Sequence, residues 1–414
     1  IEGGLAMAIS MAFWEQLVMD RGLVLNPNFT DYRIATAPIM PSNNNIRSMI
    51  VELPHEGGPP PIAKGFGEGV ICMEVSLERY GRQMLLPGWG EQGQRLLRSK
   101  TATVVGCGAL GSHIASHVVR AGVGRLILAD RDFVEWHNLP RQALYSEADA
   151  ANGVPKAVAA ARRLRQINSL VEIEEHVVDV NADTVEDLIA GSDLVLDGAD
   201  NFEVRYLVNE ACVRRGIPWV YGGVLGTYGL TAPIVPGETP CLRCLLGPMP
   251  PPGAVPTCET AGVLGTVVAT IAALEATEGL KLLLERGDEV LRSLAMVDVW
   301  KGDMERVETH KGSASCPVCD EGRYEMLEAD PGQAAVVLCG RTAVQITPRP
   351  AQNLDLAELA GRLSSAGLVS ASEYLLRLEV EGVQLTVFAD GRTIVKGTSD
   401  PARARALFAR YVGS

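Results

Sequence analysis

Residues 101–111 read TATVVGCGALG, an apolar run followed by the pattern G-x-G-x-x-G. The apolar run predicts a buried strand, and the glycines predict a tight turn into a helix. Glycines let the backbone approach a phosphate, and the first helical turn offers free N–H groups to it. Asp130 closes the next predicted strand, where a carboxylate can bind ribose hydroxyls. These residues alone predict a Rossmann-like nucleotide site, with an NAD-dependent enzyme as the default interpretation.

Alternating strand-like and helix-like runs continue after this motif. Such alternation predicts an α/β fold with a Rossmann-like, mostly parallel sheet and helices on both faces. We assign this domain to residues 73–325. The helical pattern is clearest over Ala157–Ile167. The predicted strands are Ala102–Val105, Leu126–Ala129, Leu194–Leu196 and Trp219–Tyr221.

Two shorter segments flank this domain. Residues 1–72 end in a stretch rich in glycine and proline. Residues 326–414 predict a small α+β domain, closed by a helix with Asp400 as its N-cap and Pro401 in its first turn. The predicted strands of this second domain are Tyr374–Leu378, Gln384–Phe388 and Thr393–Lys396.

Composition narrows the class of protein. The chain has 414 residues, a net charge of −13 and 47% hydrophobic residues, enough for more than one folded domain. The acidic balance argues against a nucleic-acid partner. The apolar stretch at residues 262–274 is too short to span a bilayer, so no membrane association is predicted. Four of nine cysteines lie in two C-x-x-C pairs, which favours metal binding in a reducing, cytoplasmic setting.

Cations near the glycine motif favour ATP over NAD. Arg82 lies in RYGRQ at residues 79–83, Arg141 in NLPRQ at residues 138–142, and Lys156 follows NGVP. A triphosphate attacked at phosphorus needs such charges, because pyrophosphate leaves as an anion, whereas hydride transfer does not need them. Asp200, in DGADN at residues 197–201, follows a predicted strand and suits a Mg²⁺ ligand. Read singly, each cation could be a solvated surface charge.

The paired cysteines predict one structural zinc site. Two knuckles can each supply two ligands to one tetrahedral Zn²⁺, and four thiolates leave no open position for catalysis. A redox C-x-x-C is the alternative, although redox chemistry needs only one pair. The four ligands are Cys241, Cys244, Cys316 and Cys319.

Residues 76–322 resemble the MoeB/ThiF/HesA family of ubiquitin-activating-enzyme-like adenylyltransferases. The likeness rests on Arg79–Gln83, Gly106–Gly111, Asp130, Asn138–Gln142, Lys156 and Asp197–Asn201. It implies that Gly106, Gly108 and Gly111 approach the phosphates, that Asp130 binds the ribose, and that Asp200 holds Mg²⁺. It also implies phosphate contacts from Arg141, Lys156 and Arg82, with Arg82 supplied by the other subunit of a homodimer. Asp132 and Asn138 complete the predicted nucleotide-binding set.

This resemblance implies a reaction and its partners. The family adenylates the C-terminal glycine carboxylate of a ubiquitin-like sulfur carrier ending in Gly-Gly, using ATP and releasing pyrophosphate. A separate persulfide donor then supplies the sulfur of a thiocarboxylate. The pattern is most similar to the molybdopterin-synthase adenylyltransferase. Ala109 departs from it, since the family usually has a second consecutive glycine there.

Cys258 separates two branches of the family. It lies in PTCETAG at residues 256–262, where a loop thiol could attack an acyl adenylate. In the thiamine branch, the matching position is a sulfur-handling cysteine, which makes a ThiS-type carrier the alternative. A passive loop thiol is the interpretation that we favour from sequence.

Residues 1–70 resemble the C-terminal part of a molybdenum-hydroxylase large subunit such as that of xanthine dehydrogenase. The likeness rests on IEGG at residues 1–4, NPN at 26–28 and AKGFGE at 63–68. The residues that would hold a molybdenum cofactor are absent, so we expect a non-functional fragment. As a hint of neighbouring genes, it favours a carrier of the molybdopterin pathway.

Three alternatives remain at this stage. An NAD-dependent oxidoreductase would bind NADH and show no pyrophosphate exchange. A non-catalytic scaffold would bind a carrier without turning over ATP. Cyclic dehydration of a tRNA adenosine, a third activity within the family, would need the basic surface that this acidic chain lacks.

Overall fold

The computed structural model describes residues 19–20, 23–24, 77–251, 254–309, 315–329, 335–337, 343–348 and 354–413. The chain divides into two compact units, Ile1–Gly81 and Arg82–Ser414. In the first unit, Met19–Asp20 and Leu23–Val24 pair as short antiparallel strands, and Leu77–Tyr80 forms a 3-10 turn. The rest of the predicted segment 1–72 lies outside the described residues.

The second unit contains two sheets. The larger sheet consists of β1 (Thr101–Val105), β2 (Arg125–Ala129), β3 (Glu172–His176), β4 (Leu194–Asp197), β5 (Trp219–Leu225), β6 (Tyr228–Ile234), β7 (Ser293–Asp298) and β8 (Asp303–Glu308). The smaller sheet consists of β9 (Ala335–Val337), β10 (Ala343–Ile346), β11 (Leu368–Ala371), β12 (Leu375–Val380), β13 (Val383–Phe388) and β14 (Thr393–Lys396).

Thirteen α-helices lie in the described part of the chain. They are α1 (Gly81–Met84), α2 (Gly90–Arg98), α3 (Ala109–Ala121), α4 (Glu147–Asn152), α5 (Lys156–Ile167), α6 (Val185–Leu188), α7 (Phe202–Arg215), α8 (Leu242–Leu246), α9 (Cys258–Ala261), α10 (Gly265–Leu283), α11 (Glu325–Glu328), α12 (Leu356–Leu363) and α13 (Pro401–Tyr411). Further 3-10 turns span Trp136–Asn138 and Gly287–Glu289. None of these described helices is long and apolar enough to cross a membrane.

The larger sheet has the strand order β8-β7-β6-β5-β4-β1-β2-β3. Strands β1 to β5 are mutually parallel, while β6, β7 and β8 add antiparallel strands at one side. Alternate residues of β1 enter different cores, Val104 in one and Val105 in the other. Helices therefore cover both faces, and the predicted α/β fold with a mostly parallel sheet is confirmed.

The order of the strands positions a site. β1 lies between β2 and β4, so the chain leaves β1 towards opposite sides of the sheet. Ligands of open α/β sheets bind in the crevice at such a switch, outside the carboxyl ends of the strands. Gly106, Asp130 and Asp200 follow β1, β2 and β4 at this edge.

The smaller sheet is antiparallel throughout, in the order β9-β10-β14-β13-β12-β11. It forms a core of its own with α12 and α13, centred on fully buried residues such as Leu376, Leu385 and Val395. Asp400 caps α13 by accepting a hydrogen bond from the Ala402 N–H, and Pro401 stands in the first turn, as predicted. This sheet with its two helices is the predicted small α+β domain.

Candidate active site

In the glycine turn, the backbone at Gly106 lies in close contact with the backbone at Gly111 and Gly198. Gly106 has φ +89°, a conformation that side chains rarely adopt. A β-carbon on Gly111 would lie 1.8 Å from the Gly106 carbonyl oxygen, and one on Gly198 would lie 2.0 Å from the same atom. Gly108 differs, because a β-carbon there would meet no protein atom nearer than 3.8 Å. Gly106 and Gly111 therefore shape the turn, while Gly108 leaves room for a ligand at the start of α3.

Asp130 ties the end of β2 to this turn. Its carboxylate accepts hydrogen bonds from the Cys107 N–H at 2.7 Å and from the Asp132 N–H at 2.6 Å. Burial raises the pKa of Asp130, and nearby Lys156 opposes that rise. A carboxylate has about four lone-pair sites, so a ribose hydroxyl can be bound as well. The structure thus adds an organising role to the predicted ligand role.

Lys156 begins α5 beside two carboxylates. Its Nζ lies 3.1 Å from Asp132 Oδ2, and its backbone N–H donates to the Asp132 carbonyl at 2.8 Å. Burial lowers the pKa of Lys156, but the negative charges of Asp132, Asp130 and Asp200 together raise it above its ordinary value. The ammonium group is therefore charged at neutral pH and is held near the glycine turn by acidic partners.

Asn138 and Arg141 lie at the 3-10 turn that precedes α4. The buried Asn138 side chain accepts a hydrogen bond from the Glu135 N–H at 2.9 Å and so caps this turn. The partly buried Arg141 side chain donates to the His137 carbonyl. Both contacts are local, and they shape the segment that carries the two predicted nucleotide-binding residues.

Asp200 is exposed at the mouth of the site, at the carboxyl end of β4. The loop that carries it is held by a buried ion pair, in which Arg205 Nε lies 3.0 Å from Asp197 Oδ2. Arg205 also donates to the carbonyls of Ala199 and Gly222. Burial lowers the pKa of Arg205, but Asp197, Tyr221 and Asp200 together raise it above its ordinary value. The loop under Asp200 is therefore rigidly supported.

A second buried acid supports the same loop. Glu275 on α10 is fully buried and accepts a hydrogen bond from the Asp197 N–H at 2.8 Å. Burial and the neighbouring Asp197 raise the pKa of Glu275 well above its ordinary range. Sequence reasoning missed Arg205 and Glu275, since each lies in a helical run where a charged residue suggests a solvated face. The apolar residues on both sides of Glu275 were the available signal.

Cys258 begins the short helix α9 and is partly buried. Its Sγ donates to the Val224 carbonyl at 3.3 Å. Burial raises the pKa of the Cys258 thiol, while Arg205 and Arg141 act in the opposite direction. The thiol is therefore protonated at neutral pH, although it lies within electrostatic reach of Asp200 and Arg141.

Arg82 lies on α1 with an exposed side chain. Among the described residues, no hydrogen bond joins it to Lys156 or to the turn before α5. The structure thus brings together the glycine turn, Asp130, Asp132, Lys156 and Asp200 at one edge of the sheet, with Arg141 and Cys258 beside them. Phosphates bound here would lie near the positive charge of Lys156, and a metal cation would lie near the negative charge of the carboxylates.

The two cysteine pairs meet at a separate place. Cys241 Sγ lies 3.8 Å from the sulfurs of Cys244 and Cys316, and Cys244 Sγ lies 3.5 Å from that of Cys319. All four sulfurs are within 4.8 Å of one another. A tetrahedral centre with Zn–S bonds of about 2.3 Å needs sulfurs about 3.8 Å apart. The four cysteines therefore form a cluster that can hold a metal ion.

The chain is similar to known proteins over the region that contains this site. Residues 80–318 match the ThiF family. The "Sulfur carrier protein ThiS adenylyltransferase" of Bacillus subtilis is 44% identical over 340 residues, covering 81% of this chain and 99% of that protein. The "SAMP-activating enzyme E1" of Haloferax volcanii is 39% identical over 254 residues, covering 61% of this chain and 93% of that protein.

Two further similarities are more partial. The mouse "Adenylyltransferase and sulfurtransferase MOCS3" is 38% identical over 70% of this chain and 62% of its own length. A crystal structure of Escherichia coli MccB with MccA-N7isoASN superposes with a TM-score of 0.52 at 24% identity, over 59% of this chain and 75% of that one. At that identity the superposition supports the fold alone.

Proposed function

The chain belongs to the ThiF family, and from that membership we propose that its carrier is a ubiquitin-like sulfur-carrier protein of the ThiS type. The chain is an enzyme, an adenylyltransferase that uses ATP to adenylate a ubiquitin-like sulfur-carrier protein. The function predicted from sequence is confirmed at this level. The alternatives of an NAD-dependent oxidoreductase and of a non-catalytic scaffold are set aside.

The choice of a ThiS-type carrier rests on one observation. The match to the ThiS adenylyltransferase spans 99% of that protein, whereas the match to mouse MOCS3 spans 62% of it. The sequence favours a molybdopterin-type carrier through the resemblance of residues 1–70 to a molybdenum hydroxylase. The comparisons do not support that resemblance, so its argument for the molybdopterin pathway falls away. The thiamine-type alternative becomes the first choice.

The proposed reaction assigns each site residue a task. An oxygen of the carrier's terminal carboxylate attacks the α-phosphorus of ATP, the bond to the bridging oxygen breaks, and pyrophosphate leaves with that electron pair. Lys156 and Arg141 neutralise the growing charge on the phosphates. Gly106, Gly108 and Gly111 let the backbone approach them, and Asp130, Asp132 and Asn138 hold the ribose side of the nucleotide.

Two parts of this site, and the separate cysteine cluster, depend on groups beyond the single chain. Asp200 would hold Mg²⁺, which would supply positive charge to the phosphates; the exposed Asp200 carboxylate at the end of β4 supports this role. Arg82 would come from the second subunit of a homodimer, and its exposure is compatible with such a contact. The cysteine cluster would hold a structural Zn²⁺, because four sulfurs at tetrahedral spacing leave no open position.

The sulfur step follows adenylation. We keep a separate persulfide donor as the proposed source, acting on the acyl adenylate. Cys258 is the alternative acceptor. Its place within electrostatic reach of Asp200 supports that alternative, whereas its raised pKa and its hydrogen bond to the Val224 carbonyl support a resting role. The division into residues 1–72, 73–325 and 326–414, and a cytoplasmic location, also remain proposals.

Exchange between ATP and radioactive pyrophosphate tests the reaction. The full chain is assayed with a ThiS-type carrier, with a molybdopterin-type carrier, and with each carrier lacking its terminal glycine. We expect exchange that depends on the intact carrier and is faster with the ThiS type. Faster exchange with the molybdopterin type would overturn the choice of carrier, and exchange with neither carrier would contradict the proposed function.

A further inference from the structure

The loop after β2 carries Asp130, Asp132 and Asn138, and the smaller sheet packs directly on it. The ring of Phe133 contacts two side chains of that sheet. Its centroid is 6.2 Å from that of Phe388, and the Arg377 guanidinium lies 5.1 Å from it. Aromatic and cation–π contacts of this kind are directional, so they restrict where the loop can lie.

Arg392 reaches the same loop from the turn before β14. Its side chain is 1% exposed, and its Nη2 donates to the Arg131 carbonyl at 2.8 Å. Its guanidinium stacks 4.1 Å from the centroid of Phe388, while Nε and Nη1 are buried without a hydrogen-bond partner. Burying a guanidinium with two unsatisfied nitrogens costs stability. Asp390 compensates part of the buried charge, because its Oδ2 lies 3.7 Å from Nε. Among the described residues, the guanidinium donates its hydrogen bond to the Arg131 carbonyl, and a role for that bond would account for the remaining cost.

A second bridge fixes the other side of Arg131. Arg131 Nη1 lies 2.8 Å from Asp179 Oδ1, and Gln345 Nε2 on β10 donates to Asp179 Oδ2 at 3.1 Å. The backbone of Arg131 is thus held by Arg392 and its side chain by Asp179, which the smaller sheet holds in turn. Arg131 stands between the two carboxylates that face the glycine turn and Lys156.

We infer that the smaller sheet clamps the nucleotide-binding loop, and that Arg392 is a positioning residue for ATP. Arg392 acts through the Arg131 carbonyl and keeps Asp130 and Asp132 in place, without touching the nucleotide. The inference rests on the proposed function for the roles of these two carboxylates. It gives residues 326–414 a task in the first step of the reaction, the binding of ATP.

The test uses Arg392→Ala in the full chain. Equilibrium dialysis with ATP and Mg²⁺, without any carrier, should show about tenfold weaker ATP binding, as expected when a charged hydrogen-bond donor is lost. The KM for ATP should rise by a similar factor, while kcat and the KM for the carrier stay unchanged. Arg392→Lys should recover part of the affinity, because the ammonium group can still donate to the carbonyl.

A matched control comes from the same domain. Arg410→Ala removes an exposed arginine that pairs with Glu381 and touches no part of the loop; it should bind ATP like the wild type. Hydrogen exchange gives a second readout, since Arg392→Ala should accelerate exchange at the amides of Cys107 and Asp132, which donate to Asp130. If Arg392→Ala does not fold, Arg377→Met, which removes the charge beside Phe133, should show the same weakened ATP binding.

Two results would overturn the clamp. One is wild-type ATP affinity in folded Arg392→Ala. The other is a fall in kcat and a rise in both KM values by similar factors, together with lower thermal stability. That result would indicate a general structural role. Since ATP binding is measured without a carrier, a failure of the proposed carrier activity would appear separately, as absent exchange in the wild-type chain.

Discussion

The edge of the larger sheet that carries Asp130, Lys156 and Asp200 is called the nucleotide edge. It differs from the cysteine cluster in the kinds of side chain that it brings together. At the edge, charges of both signs lie side by side, as Lys156 does against Asp132 and Asp130, and Asp200 is exposed. In the cluster, four identical ligand atoms point at one another, and no other group of metal-ligating side chains was found in the described residues. The first arrangement leaves room for a substrate, and the second can close around one ion.

This difference predicts that the nucleotide edge contributes to catalysis, whereas the cysteine cluster contributes to stability. Substitutions at the edge should lower the rate of adenylation while leaving the fold intact. Substitutions in the cluster should lower stability while leaving the rate per folded molecule intact. The following variants test that separation, from the largest expected effect on exchange to the smallest.

Asp200→Ala should lower carrier-dependent pyrophosphate exchange by about 10³-fold, because the proposed Mg²⁺ would lose its protein ligand. Thermal unfolding should stay unchanged, since the side chain is exposed. Glu203→Ala, an exposed acid in the first turn of α7, is the matched control and should exchange normally. Wild-type exchange in Asp200→Ala would remove this residue from the site.

Lys156→Met should lower exchange by about 10²-fold, because one charge that neutralises the leaving pyrophosphate is lost. The substitution keeps the volume of the buried stem, so the protein should remain folded. It also leaves Asp132 and Asp130 without their cation, and ATP binding should weaken at the same time. Exchange kinetics with varied ATP check both effects; an unchanged kcat and KM would contradict the assignment.

Cys244→Ser should reduce bound zinc, measured by atomic absorption, from one per chain. The midpoint of thermal unfolding should fall by roughly 10 °C, because binding at a closed thiolate site contributes to folding free energy. Exchange per folded molecule should stay at the wild-type level. Full zinc content, or lost exchange in a protein of unchanged stability, would break the contrast between cluster and edge.

Cys258→Ala should have the smallest effect, with wild-type exchange, since adenylation precedes any use of the thiol. Mass spectrometry of the wild-type enzyme with ATP, carrier and donor then distinguishes the two sulfur routes. We expect no covalent adduct, because the thiol is protonated and donates to the Val224 carbonyl. A reducible adduct at Cys258 with the mass of the carrier would establish the alternative route.

Local sequence patterns predicted the parts of the fold that local physics decides. The glycine pattern after β1, the cap at Asp400 and the paired cysteines all follow from short spacings, and each lies where it was expected. The strands were predicted slightly short; β5, for example, continues to Leu225 beyond the predicted end at Tyr221.

Contacts between distant segments could not be predicted in this way. Glu275 meets the Asp197 backbone across 78 residues, and Arg392 meets Arg131 across 261. A single sequence shows neither pairing, because nothing in the spacing of these residues indicates that their elements pack together. For the same reason, the hydrogen bonds by which Asp130 holds the glycine turn could be seen only in the structure.

The cysteine knuckles also constrain the order in which the chain assembles. Cys241 and Cys316 are 75 residues apart, and the intervening segment contains α8, α9, α10, β7 and β8. Closing a loop of this length in an unfolded chain costs about 4–5 kcal/mol in entropy. The second knuckle also leaves the ribosome well after the first. If the cluster binds zinc as proposed, metal capture should follow the docking of α10 and β7 on the sheet, and zinc uptake would then be a late check that the central sheet has formed correctly.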